Sequence, residues 1–499
     1  MFSKILIANR GEIALRVVRA ARELGVKSVA VYSHPDRTAP HVLAADEAYP
    51  LGPAPSAESY LVIEKLLEVA RRSGAEAVHP GYGFLAERAA FAQAVKNAGL
   101  VFIGPPAGAI EKMGDKTEAR RRMTEAGVAV VPGTSEPLAN ARAATGAARE
   151  IGYPVLLKAA AGGGGKGMRV VAGESELETA FGAASREALA SFGDGSVYLE
   201  KYLEGPRHIE IQLLADGYGK VLHLGERDCS VQRRHQKLIE EAPSPALAPE
   251  LREQMGATAV AAAKAVEYEG AGTVEFLFQD GDFYFLEMNT RIQVEHPVTE
   301  LVTGVDLVQW QIRVAAGEAL DFEQEDVCWR GHALECRVTC EDPANDFLPS
   351  AGTVTRLEPP SGPGVRWDGG VSPGSEVGLY YDPLLAKLIV HAPTRELAIR
   401  RMKRALEELR LVGVDTSVPF HLAVMDEPDF RAGKVDIRYL ERHRDALLSG
   451  GPDEETVRAI ALAAALLEEE RRTGRTVARI PAGAGGRGAW RGVVGGWRG

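Results

Sequence analysis

Three oxygen-bearing side chains in one short stretch, Glu275, Glu287 and Asn289 within EFLFQDGDFYFLEMNTRIQVEH (275–296), could together hold a hard divalent cation. Carboxylate and amide oxygens without His or Cys favour magnesium before calcium, with nucleotide phosphates completing the shell. The stretch reads as a hairpin about an odd-length loop, Asp280-Gly281-Asp282. That loop sets Glu275 opposite Glu287, and period-2 alternation puts Asn289 on the same face. Carboxylates directly opposed on neighbouring strands repel unless a cation lies between them. A two-residue turn would send Glu275 and Glu287 to opposite faces and dissolve the set. The alternation then continues, with Glu287, Asn289, Arg291, Gln293 and Glu295 along one edge and Met288, Thr290, Ile292 and Val294 along the other. A half-exposed strand with its polar face to water would account for that edge, but not for the Glu–Glu opposition.

A second element carries phosphate chemistry: KAAAGGGGKGMR (158–169). It is not a P-loop, because Lys166 is followed by Gly167 and Met168 rather than by the Ser or Thr that would reach a metal. Glycines let backbone N–H groups approach β- and γ-phosphates, and Lys166 adds a positive charge. Lys158, which ends an apolar strand just before the glycines, and Lys116 are the other basic candidates. A carboxylate–amide magnesium set plus a glycine loop on a small separate unit describes an ATP-dependent ligase whose loop closes as a lid.

The elements that must position these groups follow from hydrophobic periodicity. KILIANRGEIALRVVRAARELGVKSVAVYS reads as strand (Ile5–Ala8), tight turn, helix and strand (Ser28–Tyr32). Its turn has one glycine where GxGxxG needs three, so the Rossmann-like scaffold is not expected to hold NAD. A helix near 58–72, a strand at 75–78, a helix near 88–98 and a strand at 100–103 extend it to a parallel α/β domain over 1–113. A linker helix over 114–131 ends at Gly127, and Pro132-Gly133 marks a boundary. A lid over 132–203 follows, with strands Val155–Ala159 and Met168–Val171, a helix over 175–190 and a strand Val197–Glu200. The region 204–447 is hairpin-rich, with Asp216-Gly217 and Asp280-Gly281 at turns. An Ala/Arg/Gly-rich tail over 448–499, partly helical or disordered, closes the chain. The fold class is therefore α/β with α+β.

Ordinary hydrophobic (45%) and charged (25%) fractions indicate a globular chain, and its 499 residues imply two to four domains. A net charge of −11 argues against nucleic acid or an anionic membrane as partner. No leader or long apolar run is evident, so a cytoplasmic location is expected. The four cysteines are expected to be reduced structural thiols. Cys229 lies among basic residues that would lower its pKa, but a structural role is favoured. Arg227, Arg233 and Arg234 read equally well as salt-bridged strand residues. Arg16 and Arg19 read as fold or subunit-contact residues, and His34, His41 and His421 carry no pattern.

Over residues 1 to about 447 the chain resembles the biotin carboxylase component of biotin-dependent carboxylases of the acetyl-CoA, propionyl-CoA or pyruvate carboxylase type, in the ATP-grasp superfamily. The resemblance is carried, in order, by ILIANRGEIALR, HPGYGFL, MGDK, KAAAGGGGKGMR, EKYLEGPRHIEIQ, ERDCSVQRRHQKLIEEAP, EFLF, EMNTRIQVEHPVTE, ECRV and YDPLLAKLIV. It implies an N-terminal Rossmann-like (pre-ATP-grasp) domain, an ATP-grasp lid and central domain, and a C-terminal biotin carboxylase domain. Lys116 and Lys158 would contact nucleotide phosphates under the loop Gly163, Gly164, Gly165, Lys166, Gly167 and Met168. Glu200, Lys201 and Leu203 would form the adenine hinge, with His208, Gln232, His235 and Leu277 lining the pocket. Glu275, Glu287 and Asn289 would bind Mg2+, or Mn2+ in its place. Lys237, Arg291, Gln293 and the Val294 backbone would bind bicarbonate, with Glu295 its general base. Arg337 would stabilise the biotin ureido oxygen, and Tyr82 would lie near the biotin.

The implied reaction is ATP-dependent carboxylation of biotin through carboxyphosphate. No Ala-Met-Lys-Met biotinylation motif appears, so the biotin is expected on a separate carrier protein, with carboxyltransferase subunits as further partners and a homodimer as the assembly. The chain departs from the pattern at Ala86-Glu87-Arg88 (usually Ser-Glu-Asn), at CEDP and at Asp415-Thr416-Ser417. The Ala86-Glu87-Arg88 change bears on contacts near the biotin entrance. Another ATP-grasp ligase would lack the TRIQVEH run, and a nucleotide sensor would lack one of the four acidic or amide site residues.

Overall fold

The computed structural model describes residues 1–134, 136–159, 168–192, 194–234, 236–448 and 454–472. Two compact units divide at Ser449/Gly450. In the second, Glu454–Arg472 is a helix.

The N-terminal sheet grows from β1 (Lys4–Ile7) and β2 (Lys27–Ser33), joined by the helix Gly11–Glu23. That helix buries Ile13, Val17, Ala20 and Ala21 on one stripe, as the sequence periodicity requires. Adding β3 (Glu47–Gly52), β4 (Ala77–His79) and β5 (Val101–Phe102) makes a fully parallel sheet in the order β3-β2-β1-β4-β5. β3, whose register exposes alternate residues and contains Pro50, is the strand the sequence pattern left unplaced.

Helices Ala107–Gly114, Lys116–Glu125 and Ala141–Ile151 lead into a small antiparallel sheet of β6 (Val155–Ala159), β7 (Arg169–Val171) and β8 (Val197–Lys201). The first and third of these helices were not anticipated from sequence. The small sheet packs its own core, with Leu157, Val197 and Leu199 against Leu177 and Ala184 of the helix Glu174–Phe192.

The site is built on an eight-stranded antiparallel sheet. Its strands are β9 (Arg207–Ala215), β10 (Val221–Arg233), β11 (Gln236–Ala242), β12 (Gly270–Gln279), β13 (Asp282–Asn289), β14 (His332–Thr339), then Val365–Gly369 and Leu384–Ala392. The spatial order is β13-β12-β9-β10-β11-β14, followed by Leu384–Ala392 and then Val365–Gly369.

The β12–β13 hairpin corrects one expectation and rescues its consequence. The turn is the two-residue Asp280-Gly281, with φ of +55° and +93°, the left-handed pair of a type I′ turn. Gln279 pairs with Asp282 and Phe276 with Phe285. Left alone, that register would separate the two acids. A bulge at Leu286 absorbs one residue, and from there Glu275 pairs with Glu287, Val274 with Met288 and Thr273 with Asn289. A second correction concerns the strand, which ends at Asn289. Thr290–Glu295 is a loop leading into the helix His296–Thr303, with Pro297 in its first turn.

Candidate functional site

β9 carries His208, Glu210 and Gln212 at alternate positions, so all three face one way, and all are buried. Beside it β10 supplies Arg227, which is fully buried. Every N–H of that guanidinium is used: Nε donates to Glu210 Oε1 (2.5 Å), Nη1 to Gln212 (2.7 Å) and Thr299 (2.9 Å), Nη2 to Thr273 (3.1 Å) and Gln293 (2.8 Å). Arg227 thus fixes Glu210 and Gln293, which in turn orient the next layer.

Lys237 of β11 sits among three carboxylates, its Nζ 2.6 Å from Glu210, 2.8 Å from Glu275 and 2.6 Å from Glu295. Burial would lower its pKa, but the three acids outweigh burial and hold it well above the usual lysine value. Glu275 is the hub of the oxygen set. Its Oε1 accepts from Lys237, from Asn289 Nδ2 (2.9 Å) and from Gln293 Nε2 (2.8 Å), and its Oε2 lies 2.9 Å from His208 Nε2. Burial would raise its pKa, but Lys237 and His208 keep it well below the carboxylate range.

Glu295 caps the sequence of charges. Lys237 reaches its Oε1, and Arg337 Nη2 of β14 reaches its Oε2 at 2.8 Å. It stands at the N-terminus of the helix His296–Thr303, where the helix dipole favours an anion. Against the burial that would raise it, Lys237, Arg337 and Arg227 lower its pKa strongly. Arg291 is steered elsewhere: Nη2 donates to Asn289 Oδ1 (3.0 Å) and Nε lies 2.9 Å from Glu87. Glu87 is the middle residue of the departure Ala86-Glu87-Arg88. Val294 offers its carbonyl to Lys387 Nζ at 2.8 Å. Lys387 also lies 3.2 Å from Glu12, whose other oxygen accepts from the Tyr82 hydroxyl.

On the nucleotide side, Leu277 of β12 pairs directly with His208 of β9, and Gln232 is buried near the end of β10. Glu200 of β8 is ion-paired with both Lys158 and Arg120. Lys201 turns its ammonium to the carbonyls of Gly152 (2.9 Å) and Tyr153 (3.1 Å), while Leu203 and Met168 are half-buried. A cavity of about 220 Å3 separates the small sheet from the hairpin, lined by Arg120, Lys158, Tyr198 and Glu200 on one side and Glu287 and Asn289 on the other. Lys116 begins the helix Lys116–Glu125, but its side chain lies outside the described residues, as do Gly163, Gly164, Gly165, Lys166, Gly167 and His235.

The donor set suits a magnesium ion: Glu275 and Glu287 are directly opposed on the ladder, and Asn289 adds an amide to the same end of the hairpin. A divalent cation there would offset the repulsion of the opposed acids.

Glu210, Gln212, Arg120, Glu12 and Lys387 were not picked out as site residues from sequence, and Arg227 read equally well as a salt-bridged strand residue. The alternating polar residues of HIEIQ on an otherwise apolar strand were the available signal for Glu210 and Gln212. Arg233 and Arg234 lie at the edge, both held by Asp346. Cys229 is fully buried, and burial with the Glu210 charge raises its thiol well above the usual value, so it is not activated. Cys229, Cys328, Cys336 and Cys340 are all free thiols. Arg16 pairs with Glu300 (3.0 Å) and Asp306 (2.6 Å), and Arg19 is exposed. No helix among the described residues is long and apolar enough to cross a membrane.

Family models match in succession along the chain: "Biotin carboxylase, N-terminal domain" over 1–110, "Carbamoyl-phosphate synthase L chain, ATP binding domain" over 115–323, and "Biotin carboxylase C-terminal domain" over 335–442. The chain is 56% identical over 445 residues to a pyruvate carboxylase subunit of Methanothermobacter thermautotrophicus, covering 89% of this chain and 90% of that one. It is 53% identical to biotin carboxylase 1 of Bacillus subtilis, covering 89% of this chain and 99% of the other. Among solved structures, the biotin carboxylase domain dimer of Hydrogenobacter thermophilus 2-oxoglutarate carboxylase, in complex with MgADP, ADP and bicarbonate, superposes with a TM-score of 0.84 at 52% identity, covering 90% of this chain and 99% of that one. Biotin carboxylase of Campylobacter jejuni in complex with β,γ-ATP superposes with a TM-score of 0.85 at 49% identity, covering 89% and 99%.

Proposed function

This chain belongs to the biotin carboxylase family, and on that premise we propose that Lys237, Glu295 and Arg337 are the centre at which it carboxylates biotin with bicarbonate and ATP. The observation that carries the reading is Glu295 held between two cations, 2.6 Å from Lys237 and 2.8 Å from Arg337, beside the opposed Glu275–Glu287 pair.

Glu295 is the general base. In the free site its charge is saturated by Lys237 and Arg337, which makes it a weak base. Bicarbonate, itself an anion, competes for those same cations, and as they turn to it Glu295 regains basicity where the proton must be taken. Lys237, Arg291, Gln293 and the Val294 backbone orient the anion, and the deprotonated oxygen attacks the γ-phosphoryl group of ATP to form carboxyphosphate. Glu275, Glu287 and Asn289 would hold magnesium, which would supply charge neutralisation on the phosphates. Lys158 and Lys116 add positive charge on the phosphates, and the loop Gly163, Gly164, Gly165, Lys166, Gly167 and Met168 closes over them. Glu200, Lys201 and Leu203 form the adenine hinge, and His208, Gln232, His235 and Leu277 line the rest of the nucleotide pocket.

Carboxyphosphate releases CO2 and phosphate, the phosphate takes the biotin N1′ proton, and N1′ attacks CO2. The Arg337 guanidinium is a permanent cation for the ureido oxygen. Tyr82 packs at the biotin entrance. The biotin rides on a separate carrier protein and is passed to a carboxyltransferase, and the chain works as a homodimer. The named relatives support that assembly. The test of the phosphoryl step is heavy-oxygen-labelled bicarbonate: label must appear in the released phosphate. Label confined to CO2 and water would remove carboxyphosphate from the scheme.

A further inference from the structure

Two residues before Arg337 on β14 stands Glu335, which neither the oxygen set nor the bicarbonate cluster uses. It is fully buried, and neither of its carboxyl oxygens meets a hydrogen-bond donor. Across the ladder on β11 it faces Glu240 directly, and Glu240 is also fully buried. Arg337 Nε donates to Glu240 Oε1 at 2.6 Å, while Glu240 Oε2 has no donor.

Two ionised acids so placed would repel with no cation between them. Arg337 is shared between Glu240 and Glu295. Lys387, directly across from Arg337 on the next strand, is committed to Val294 and Glu12. Opposed residues on a ladder bring their Cβ atoms to about 4.5–5.5 Å, close enough for one carboxyl to donate to the other. One proton on Glu335 makes its oxygen the donor that Glu240 Oε2 lacks. We propose that Glu335 is a positioning residue that carries its proton and donates it to Glu240, so that the pair presents one negative charge to Arg337 and leaves that guanidinium aimed at Glu295.

The surroundings agree. Burial, with Glu240 and Glu295 adding to it against Lys387 and Arg337, raises the Glu335 carboxyl well above the usual range. Burial pushes Glu240 up to about 7, Arg337 and Lys237 opposing. The other charged groups on elements packed here are already engaged, and His296, whose Nε2 has no partner, is kept uncharged by the burial that holds its pKa well below the usual value. His296 Nδ1 lies 2.7 Å from the Gln293 carbonyl, Glu300 is paired with Arg16 and Arg366, and Asp368 is paired with Arg366. No further cation is left to pair with a second anion among these described groups.

The proposal rests on the reading of Arg337 as the biotin-facing cation, so its test includes a readout independent of turnover. Infrared difference spectra of the full chain, wild type minus Glu335→Gln, are expected to show the C=O band of a protonated carboxylic acid. Its absence overturns the proposal whether or not the chain carboxylates biotin. In kinetics, Glu335→Gln supplies an amide donor in place of the O–H and is expected to keep wild-type turnover and pH profile. The near-isosteric Glu335→Leu removes the donor. It is expected to lower biotin-dependent kcat about tenfold or more with the KM for ATP unchanged. Glu240 then loses a bond to its charged form, so the acid limb of the pH profile moves to higher pH. Equal loss in both variants, or an unchanged profile in Glu335→Leu, would overturn it.

Discussion

Replacing Arg227 with lysine keeps the charge and removes the fork. Arg227 is fully buried and makes five hydrogen bonds, to Glu210, Gln212, Thr299, Thr273 and Gln293, at 2.5–3.1 Å. Lysine has three donors at one point, so at least two buried acceptors lose their partner. Each costs about 1–3 kcal/mol, for a total of about 2–6 kcal/mol. Arg227→Lys is therefore expected to lower the unfolding free energy by an amount in that range, read as a lower urea midpoint at constant slope. Kinetics should move too, because Gln293 and Glu210 lose their common anchor: a loss of about 1.4 kcal/mol in anion binding raises the KM for bicarbonate about tenfold. Arg227→Met, which leaves Glu210 without its guanidinium, should cost about 3–5 kcal/mol. An unfolding free energy for Arg227→Lys within about 0.5 kcal/mol of wild type would refute the idea that five-fold satisfaction, rather than charge, is what the position requires.

Leu286 is the residue that the bulge absorbs, so deleting it joins Phe285 to Glu287 in an unbroken ladder that still sets Glu287 opposite Glu275. Magnesium-dependent ATP turnover should therefore survive the deletion, and its complete loss with an unchanged far-ultraviolet spectrum would contradict this register. The Glu241 carboxyl, which accepts from His332 (2.7 Å) and Arg395 (2.6 Å), is held at about 2 against the burial that would raise it. Because its folded value is depressed, its contribution is full above the ordinary glutamate value of 4.5 and disappears as pH falls toward 2. At about 1.36 kcal/mol per pKa unit this amounts to about 3 kcal/mol, so wild type should lose about that much more stability than Glu241→Gln across that window.

The parallel N-terminal sheet was legible because apolar strands and an amphipathic helix follow one another at short range. The oxygen set was legible for a less secure reason. The Asp280-Gly281 dipeptide is the signal of a type I′ turn, which alone would have separated Glu275 from Glu287, and the Leu286 bulge that reunites them leaves no mark in local pattern. The run Arg291–Glu295 reads as a continued strand but is a loop. Its side chains still converge, because Arg227 and Lys237 reach in from neighbouring strands. Those long-range bonds could not be read from spacing: Arg227 meets Gln293 and Thr299 from 66 and 72 residues away. Glu335 was visible only as part of ECRV, and its isolation is a property of the packed sheet. His235 owes its proposed role to the family resemblance alone, whereas Lys116 and Lys166 were already basic candidates for phosphate contact.

The most direct measurement is ATP turnover by the full chain with magnesium, bicarbonate and biotin, for wild type and Glu295→Gln. The account predicts turnover that needs both bicarbonate and biotin, and a loss of about 10²–10⁴-fold in the variant, the usual contribution of a positioned base. Turnover in Glu295→Gln close to wild type would contradict the assignment of the base, and turnover indifferent to biotin would contradict the function.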